Sequence, residues 1–189
     1  MKRDIILAGV GGQGVLSVAT VITRAAVESA FQVRQSEVHG MAQRGGAVVA
    51  HLRIADSSIY SDLIPQGSAD LIISMEPLES LRYAAWLSPQ GALVSASEPV
   101  VNIPDYPQLE AIHQVIAGFP ISRLIPAEAI AREAGHVRAV NMVMVGAAAP
   151  FLPLDADLLE KTIDQLFGTR YPGMVEINRR AFRLGQTRE

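Results

Sequence analysis

The chain has 189 residues, of which 49% are hydrophobic, 19% charged and 5% aromatic, with a formal net charge of -3 and no cysteine. That length suits one domain spanning residues 1–189 with a sizeable core, and the acidic balance argues against nucleic acid as a partner. The lack of cysteine excludes disulfides, a thiol nucleophile, thiolate metal sites and iron–sulfur clusters held through their usual ligands. No apolar run reaches the about 18 residues that a membrane span needs. The basic start, Met1-Lys2-Arg3-Asp4, precedes an apolar run that is too soon broken for a signal peptide, so a cytoplasmic protein is expected. Few charges and many apolar residues imply that some apolar surface is covered by a partner chain.

In chain order, residues 3–8 read as a buried strand, and 15–30 as a helix with Val15, Val18, Ile22, Ala25 and Ala26 on one face. "FQVRQSEV" (31–38) alternates like a strand. "GAVVAHLRIADSSIYSDLI" reads as two strands turning at Ala55-Asp56-Ser57-Ser58. "DLIISME" (70–76) is a second buried strand, and Pro77 suits the first turn of a helix over 77–87. "GALVSAS" (91–97) is a third buried strand. A helix is expected over 107–117, a short strand over 122–125 and a helix over 126–135. "VNMVMVGAAAPFL" reads as an apolar helix, Asp155–Phe167 as an amphipathic one and Met174–Leu184 as a basic one. Strands alternating with helices predict a three-layer α/β/α fold with a mostly parallel, Rossmann-like sheet. The hairpin near 46–63 adds antiparallel strands. The runs Ile5–Ala8 and Leu71–Ser74 lack alternation, which predicts neighbouring central strands buried on both faces.

Between the first strand and first helix stands Gly9-Val10-Gly11-Gly12-Gln13-Gly14. Glycines permit a sharp turn, and a helix N-terminus offers N–H groups with partial positive charge. Gly9, Gly11 and Gly14 satisfy G-x-G-x-x-G, and Glu37 lies near the distance at which a dinucleotide-binding protein places its ribose-binding acid. The strand before Glu37 is, however, too polar for the centre of such a sheet. A tight strand-to-helix turn without a ligand is the competing explanation.

A second cluster, "SEVHGMAQRGGAVVAHLRI", sets Glu37, His39, Gln43 and Arg44 among Gly40, Gly45 and Gly46. A solvated loop explains the glycines but not so many different polar side chains. Together, "GVGGQGV" and "SEVHGMAQRGGAVVAHLR" resemble the gamma-type domain of the 2-oxoacid:ferredoxin oxidoreductases. "HGMAQRGG" is most similar to the small beta subunit of the indolepyruvate branch. "SADLIISMEPLE" and "NMVMVGA" extend the resemblance along the chain.

The resemblance implies a subunit of an enzyme that decarboxylates an aryl pyruvate on thiamine diphosphate. Such an enzyme passes two electrons through iron–sulfur clusters to ferredoxin and yields an aryl acetyl-CoA. Lacking cysteine and the "GDG" plus paired-asparagine signature, this chain would leave thiamine diphosphate, magnesium and the clusters to a large alpha subunit. It would be inactive alone and could self-associate into a homodimer. By the same resemblance, Gly11, Gly12, Gln13, Gly14, His39, Gln43, Arg44, Gly45 and Gly46 form the interface or the coenzyme A or substrate side of the site. Arg44 is best suited to a phosphate or carboxylate. No residue of this chain is assigned a catalytic role. Two other readings remain open: an independent NAD(P)-binding Rossmann-type oxidoreductase, and a noncatalytic nucleotide-binding or assembly module.

Other candidates have plainer explanations. His51 suits a satisfied strand residue, and His113 and His136 suit solvent. Glu76 suits a helix cap and Asn141 an N-cap, while Met142 and Met144 suit the core. "INRRAFRLGQTRE" reads first as a solvated basic face and second as a docking surface. Ser36, Ser61 and Asp62 lack a nucleophile elbow, and no His/Asp/Glu group has metal-ligand spacing.

Overall fold

The computed structural model describes residues 1–39, 45–168 and 171–188, with His39 described by its backbone alone. Six strands form one sheet: β1 (Lys2–Val10), β2 (Gln32–His39), β3 (Ala47–Ala55), β4 (Ala69–Ser74), β5 (Leu87–Ala96) and β6 (Ser122–Ile125), in the order β2-β3-β1-β4-β5-β6. Seven α-helices accompany them among the described residues: α1 (Val15–Glu28), α2 (Pro77–Arg82), α3 (Leu109–Ala117), α4 (Ala127–Ala134), α5 (Val140–Ala148), α6 (Ala156–Gly168) and α7 (Val175–Thr187).

The two unalternating runs are central neighbours, as expected. Ile5 to Ala8 pair in parallel with Leu71 to Ser74, and all are buried. Burial on both faces explains the pattern. Ile5, Leu7, Leu71, Ile73 and Val94 face one core with α1 and α4–α7. Ile6, Ile72 and Leu93 face another, with Ile112 and Ile116 of α3. Helices thus cover both faces, giving three layers. Strands β1, β4, β5 and β6 run parallel, and β3 is antiparallel to both β1 and β2. The polar β2 lies at the sheet edge, where one side of its ladder faces outward.

Helix α5 is buried from Met142 to Ala148, which explains an apolar run without a polar face. It and α7 cross at small residues. A side chain on Gly146 would meet the carbonyl of Phe182, and one on Gly185 the carbonyl of Val143. The basic face of α7 is engaged within the chain: Arg179 pairs with Asp164 and Arg183 with Glu160.

Three expectations need correction. The second strand of the 46–63 hairpin does not form. The antiparallel hairpin strands are instead β2 and β3. Residues 56–64 are tied by side chains: the Ile64 N–H donates to His51 Nδ1 at 3.1 Å, and Arg53 donates to the Ser61 and Leu63 carbonyls. The helix expected over 77–87 stops at Arg82, and a 3-10 turn over Ala84–Trp86 follows. His113 is half-buried, with Nε2 2.9 Å from the Ser97 carbonyl.

Candidate functional site

The parallel strands β1, β4 and β5 end on one edge, and the segments that leave them enclose a cleft of about 360 Å3. Open parallel sheets bind ligands at this edge. Gly12, Gln13 and Gly14 line it together with Met75, Arg138 and Asn141.

Each glycine of the first loop does something different. Gly9 lies inside β1, where a Cβ would come within 2.8 Å of Val15 Cγ2 and 3.1 Å of Met75 Cβ. Its role is close packing of α1 and the β4 end. Gly11 pairs with the second glycine cluster: its N–H donates to the Gly46 carbonyl at 2.8 Å, and the Gly45 N–H donates back to the Gly11 carbonyl at 3.3 Å. The two segments singled out in the sequence therefore meet. Gly12 has φ of 101°, and a Cβ placed there would have no neighbour within 4 Å among the described residues. Gly14 is the N-cap of α1, with φ of 79°.

Gln13 is a staple within the loop. Its Oε1 accepts from the Val10 N–H and its Nε2 donates to the Met75 carbonyl, both at 2.8 Å. These bonds join the ends of β1 and β4. The Gln13 N–H is also used, by the Val10 carbonyl at 3.0 Å. The loop's N–H groups are thus partly consumed internally, which narrows the expected anion cradle.

Asn141, expected from sequence as an N-cap, is not one: Ala139 occupies that position, and Asn141 Nδ2 donates to the Gly14 carbonyl at 3.3 Å. Arg138 is a cleft residue that sequence reasoning does not find. It is exposed and has no ion pair among the described residues. A lone Asn before an apolar run is the only local signal for Asn141, and nothing local marks Arg138.

The acidic residues around the cleft are engaged. The Glu98 carboxylate accepts from the Ala127 and Glu128 N–H groups at 3.1 and 3.0 Å, capping α4. Glu76, 1% exposed, caps α2 as expected by accepting from the Glu79 N–H at 2.7 Å. It also accepts from the Val100 N–H and the Tyr106 hydroxyl, so it fastens the segment after β5 across the edge. Burial and the Glu76 carboxylate push the Tyr106 phenol well above its usual range. Asn102 Nδ2 donates to the Gly45 carbonyl at 2.7 Å, fastening the same segment to the second glycine cluster.

Of the remaining candidates, Gln43 and Arg44 lie outside the described residues, as does the His39 side chain; the His39 backbone pairs with Val48. Glu37 is two strands from β1 because β3 intervenes, roughly 10 Å across the sheet. The neighbouring-strand geometry of the dinucleotide fingerprint is therefore absent for this residue. His136 is exposed and its Nδ1 accepts from the Arg138 N–H at 3.0 Å. Ser61 Oγ bonds within its own turn and Asp62 pairs with Arg34. No group of three or more His, Cys, Asp or Glu among the described residues could hold a metal. No helix among them is long and apolar enough to cross a membrane.

Residues 4–187 match the family described as pyruvate ferredoxin/flavodoxin oxidoreductase. The chain is 36% identical to the indolepyruvate oxidoreductase subunit IorB of Pyrococcus horikoshii, over 97% of this chain and 94% of that protein. Its fold is similar to the gamma subunit of keto/oxoacid ferredoxin oxidoreductase from Geobacter sulfurreducens, with TM-score 0.70, 24% identity and coverage of 98% and 95%. It is also similar to the 2-oxoglutarate:ferredoxin oxidoreductase of Magnetococcus marinus, solved with 2-oxoglutarate, coenzyme A and succinyl-CoA bound. There the TM-score is 0.75 at 20% identity, covering 98% of this chain and 30% of that one.

Proposed function

The chain belongs to the pyruvate ferredoxin/flavodoxin oxidoreductase family, and from that premise we propose that it is the small subunit of an indolepyruvate-type 2-oxoacid:ferredoxin oxidoreductase. The observation that carries this reading is the near full-length likeness to a subunit named for indolepyruvate. The assembled enzyme would convert an aryl 2-oxoacid and coenzyme A to an aryl acetyl-CoA and carbon dioxide, reducing ferredoxin by two electrons.

The residues of this chain do not fit the groups that such chemistry requires. Clusters need thiolates and there is no cysteine. Magnesium needs convergent oxygen ligands, and the described residues offer no acidic cluster. Thiamine diphosphate, magnesium and the clusters are therefore assigned to a large partner subunit. This chain's contribution is the cleft. Gln13 fixes the loop, Gly12 keeps its rim bare, and Arg138 supplies positive charge for an anionic ligand such as coenzyme A. Exposed Val101 and Ile103, beside the Asn102–Gly45 contact, give the partner an apolar rim to cover.

Copurification tests the reading. The tagged full chain, expressed in its own cells, should bring down one larger polypeptide carrying thiamine diphosphate and iron. Recovery as a lone protein with bound NAD(P)H would instead favour an independent dehydrogenase.

A further inference from the structure

Residues 97–108 join β5 to α3 with no helix or strand of their own. Polar contacts hold the middle of this segment. The Val100 N–H and the Tyr106 hydroxyl both donate to Oε1 of Glu76, at the end of β4. Two residues beyond Val100, Asn102 Nδ2 donates to the Gly45 carbonyl at 2.7 Å. The segment is therefore tied at one point to β4 and at another to the second glycine cluster. The end of β4 also holds the first cluster, because the Met75 carbonyl accepts from Gln13 Nε2 at 2.8 Å. The two clusters in turn bond each other through Gly11, Gly45 and Gly46. These contacts form a closed circuit that starts and ends at adjacent residues, Met75 and Glu76.

Capping α2 does not by itself account for Glu76. A helix N-terminus is served by one acceptor oxygen, and an exposed Ser or Asp supplies it without burying a charge. Glu76 is 1% exposed, and a buried carboxylate is costly unless both oxygens are hydrogen-bonded. Its Oε2 takes the Glu79 N–H at 2.7 Å, which is the cap. Its Oε1 is turned to the 97–108 segment. The backbone of Glu76 is itself fixed, because the Ser74 hydroxyl donates to its carbonyl at 2.6 Å and accepts from its N–H at 3.3 Å. One oxygen thus serves the helix and the other serves a segment that reaches the glycine clusters.

We propose that Glu76 is a positioning residue that sets the second glycine cluster in register with the first. Being buried, it acts through Val100, Tyr106 and Asn102 rather than by touching a ligand. The stretch from Val100 to Asn102 is a spacer of fixed length between the Glu76 carboxylate and the Gly45 carbonyl. The importance of that register for the reaction rests on the reading above, in which the glycine clusters border the coenzyme A or substrate side of the assembled enzyme.

Glu76→Gln and Asn102→Ala cut the circuit at its two ends. A Gln side chain has one acceptor oxygen and cannot serve both α2 and Val100. Asn102 is exposed, so its truncation leaves the core intact. In the full chain alone, NMR amide exchange at Gly11 and Gly45 should quicken about tenfold in either variant, with the Ile64 amide bonded to His51 unchanged. The double variant should exchange no faster than the faster single, because both cuts open one circuit. Should Glu76→Gln fail to fold, Tyr106→Phe removes one donor to the same oxygen without loss of charge. In the enzyme assembled with its large subunit, each variant should raise the coenzyme A KM about tenfold and leave kcat within about twofold. A cap with no positioning role would lower the melting temperature and the yield of active enzyme and leave KM unmoved. Unchanged exchange at Gly11 and Gly45 overturns the proposal on the chain alone. Faster exchange with an unmoved KM, or single effects that multiply in the double variant, also overturns it. Should the chain still copurify with a thiamine-bearing subunit, the family reading stands and only the positioning role is lost.

Discussion

Asn141 and Gly14 are 127 positions apart in sequence and joined by a hydrogen bond, Asn141 Nδ2 donating to the Gly14 carbonyl. The contact fastens the start of α5 to the start of α1. It also explains why position 14 is glycine twice over. The backbone there has φ of 79°, and a Cβ would strike the Asn141 amide. Gly14→Ala should therefore cost about 2 kcal/mol or more, combining left-handed strain with the clash. Asn141→Ala in the same chain should return the clash portion, leaving the strain. Urea unfolding of the two single variants and the double variant measures both portions; additive costs would show that the contact is not shared. Gly12→Ala, with open space around it, should cost only the strain, about 1 kcal/mol.

How much of this is legible in the sequence follows from where the information lies. The pairing of Ile5–Ala8 with Leu71–Ser74 can be read because two-sided burial writes a continuous apolar run into each strand. The polar β2 can be placed away from the centre for the opposite reason. The segment 56–64 misleads because its alternating residues imitate a strand. What fixes it is a pair of side chains, His51 and Arg53, on another strand. Gln13 has the look of a ligand-facing residue because it stands among glycines, and its partner Met75 is 62 positions away. Asn141 has the position of a helix cap, whereas its bond crosses to another helix. Local pattern carries burial; it does not carry a long-range polar partner.

The crossing of α5 and α7 has no room at its two glycines. A Cβ on Gly146 or Gly185 would press on backbone, which cannot swing aside as a side chain can. Gly185→Ala should destabilise the chain by about 3 kcal/mol, at the upper end for overpacking. Thermal unfolding should show a drop of many degrees, and Gly185→Ser a similar or larger one. A wild-type melting temperature in Gly185→Ala would mean that the helices separate more easily than this packing allows.

His51 should make stability depend on pH. Burial, with a smaller contribution from the Arg53 charge, holds its pKa below 6.5. Its Nδ1 must also stay unprotonated to accept from the Ile64 N–H. In the unfolded chain the imidazole takes up a proton near pH 6.5, while the folded one resists until lower pH. The unfolded state then binds more protons, so stability is full above pH 6.5 and falls as pH drops through that value toward the folded pKa. Urea midpoints at pH 7.5 and pH 5.5 should differ, and His51→Gln should shrink the difference. An unchanged difference in that variant would assign the pH dependence to other groups.

Alone, the chain should not oxidise a 2-oxoacid. Losing carbon dioxide from such an acid leaves an electron pair on the former carbonyl carbon. Amino-acid side chains offer no sink for that pair; a cofactor must supply it. Passing the pair onward one electron at a time needs a relay, and a chain with no cysteine has no thiolates to hold an iron–sulfur cluster. The cleft between the glycine loop and Arg138 can bind and orient a ligand, but the described residues around it present engaged carboxylates and hydrogen-bonded amides. The purified chain mixed with thiamine diphosphate, magnesium, coenzyme A, indolepyruvate and a viologen dye should leave the dye oxidised. Adding the cluster-bearing large subunit should start its reduction, and Arg138→Ala should slow the coupled reaction mainly by raising the coenzyme A concentration needed. Steady dye reduction by this chain without a second polypeptide would sink the subunit reading.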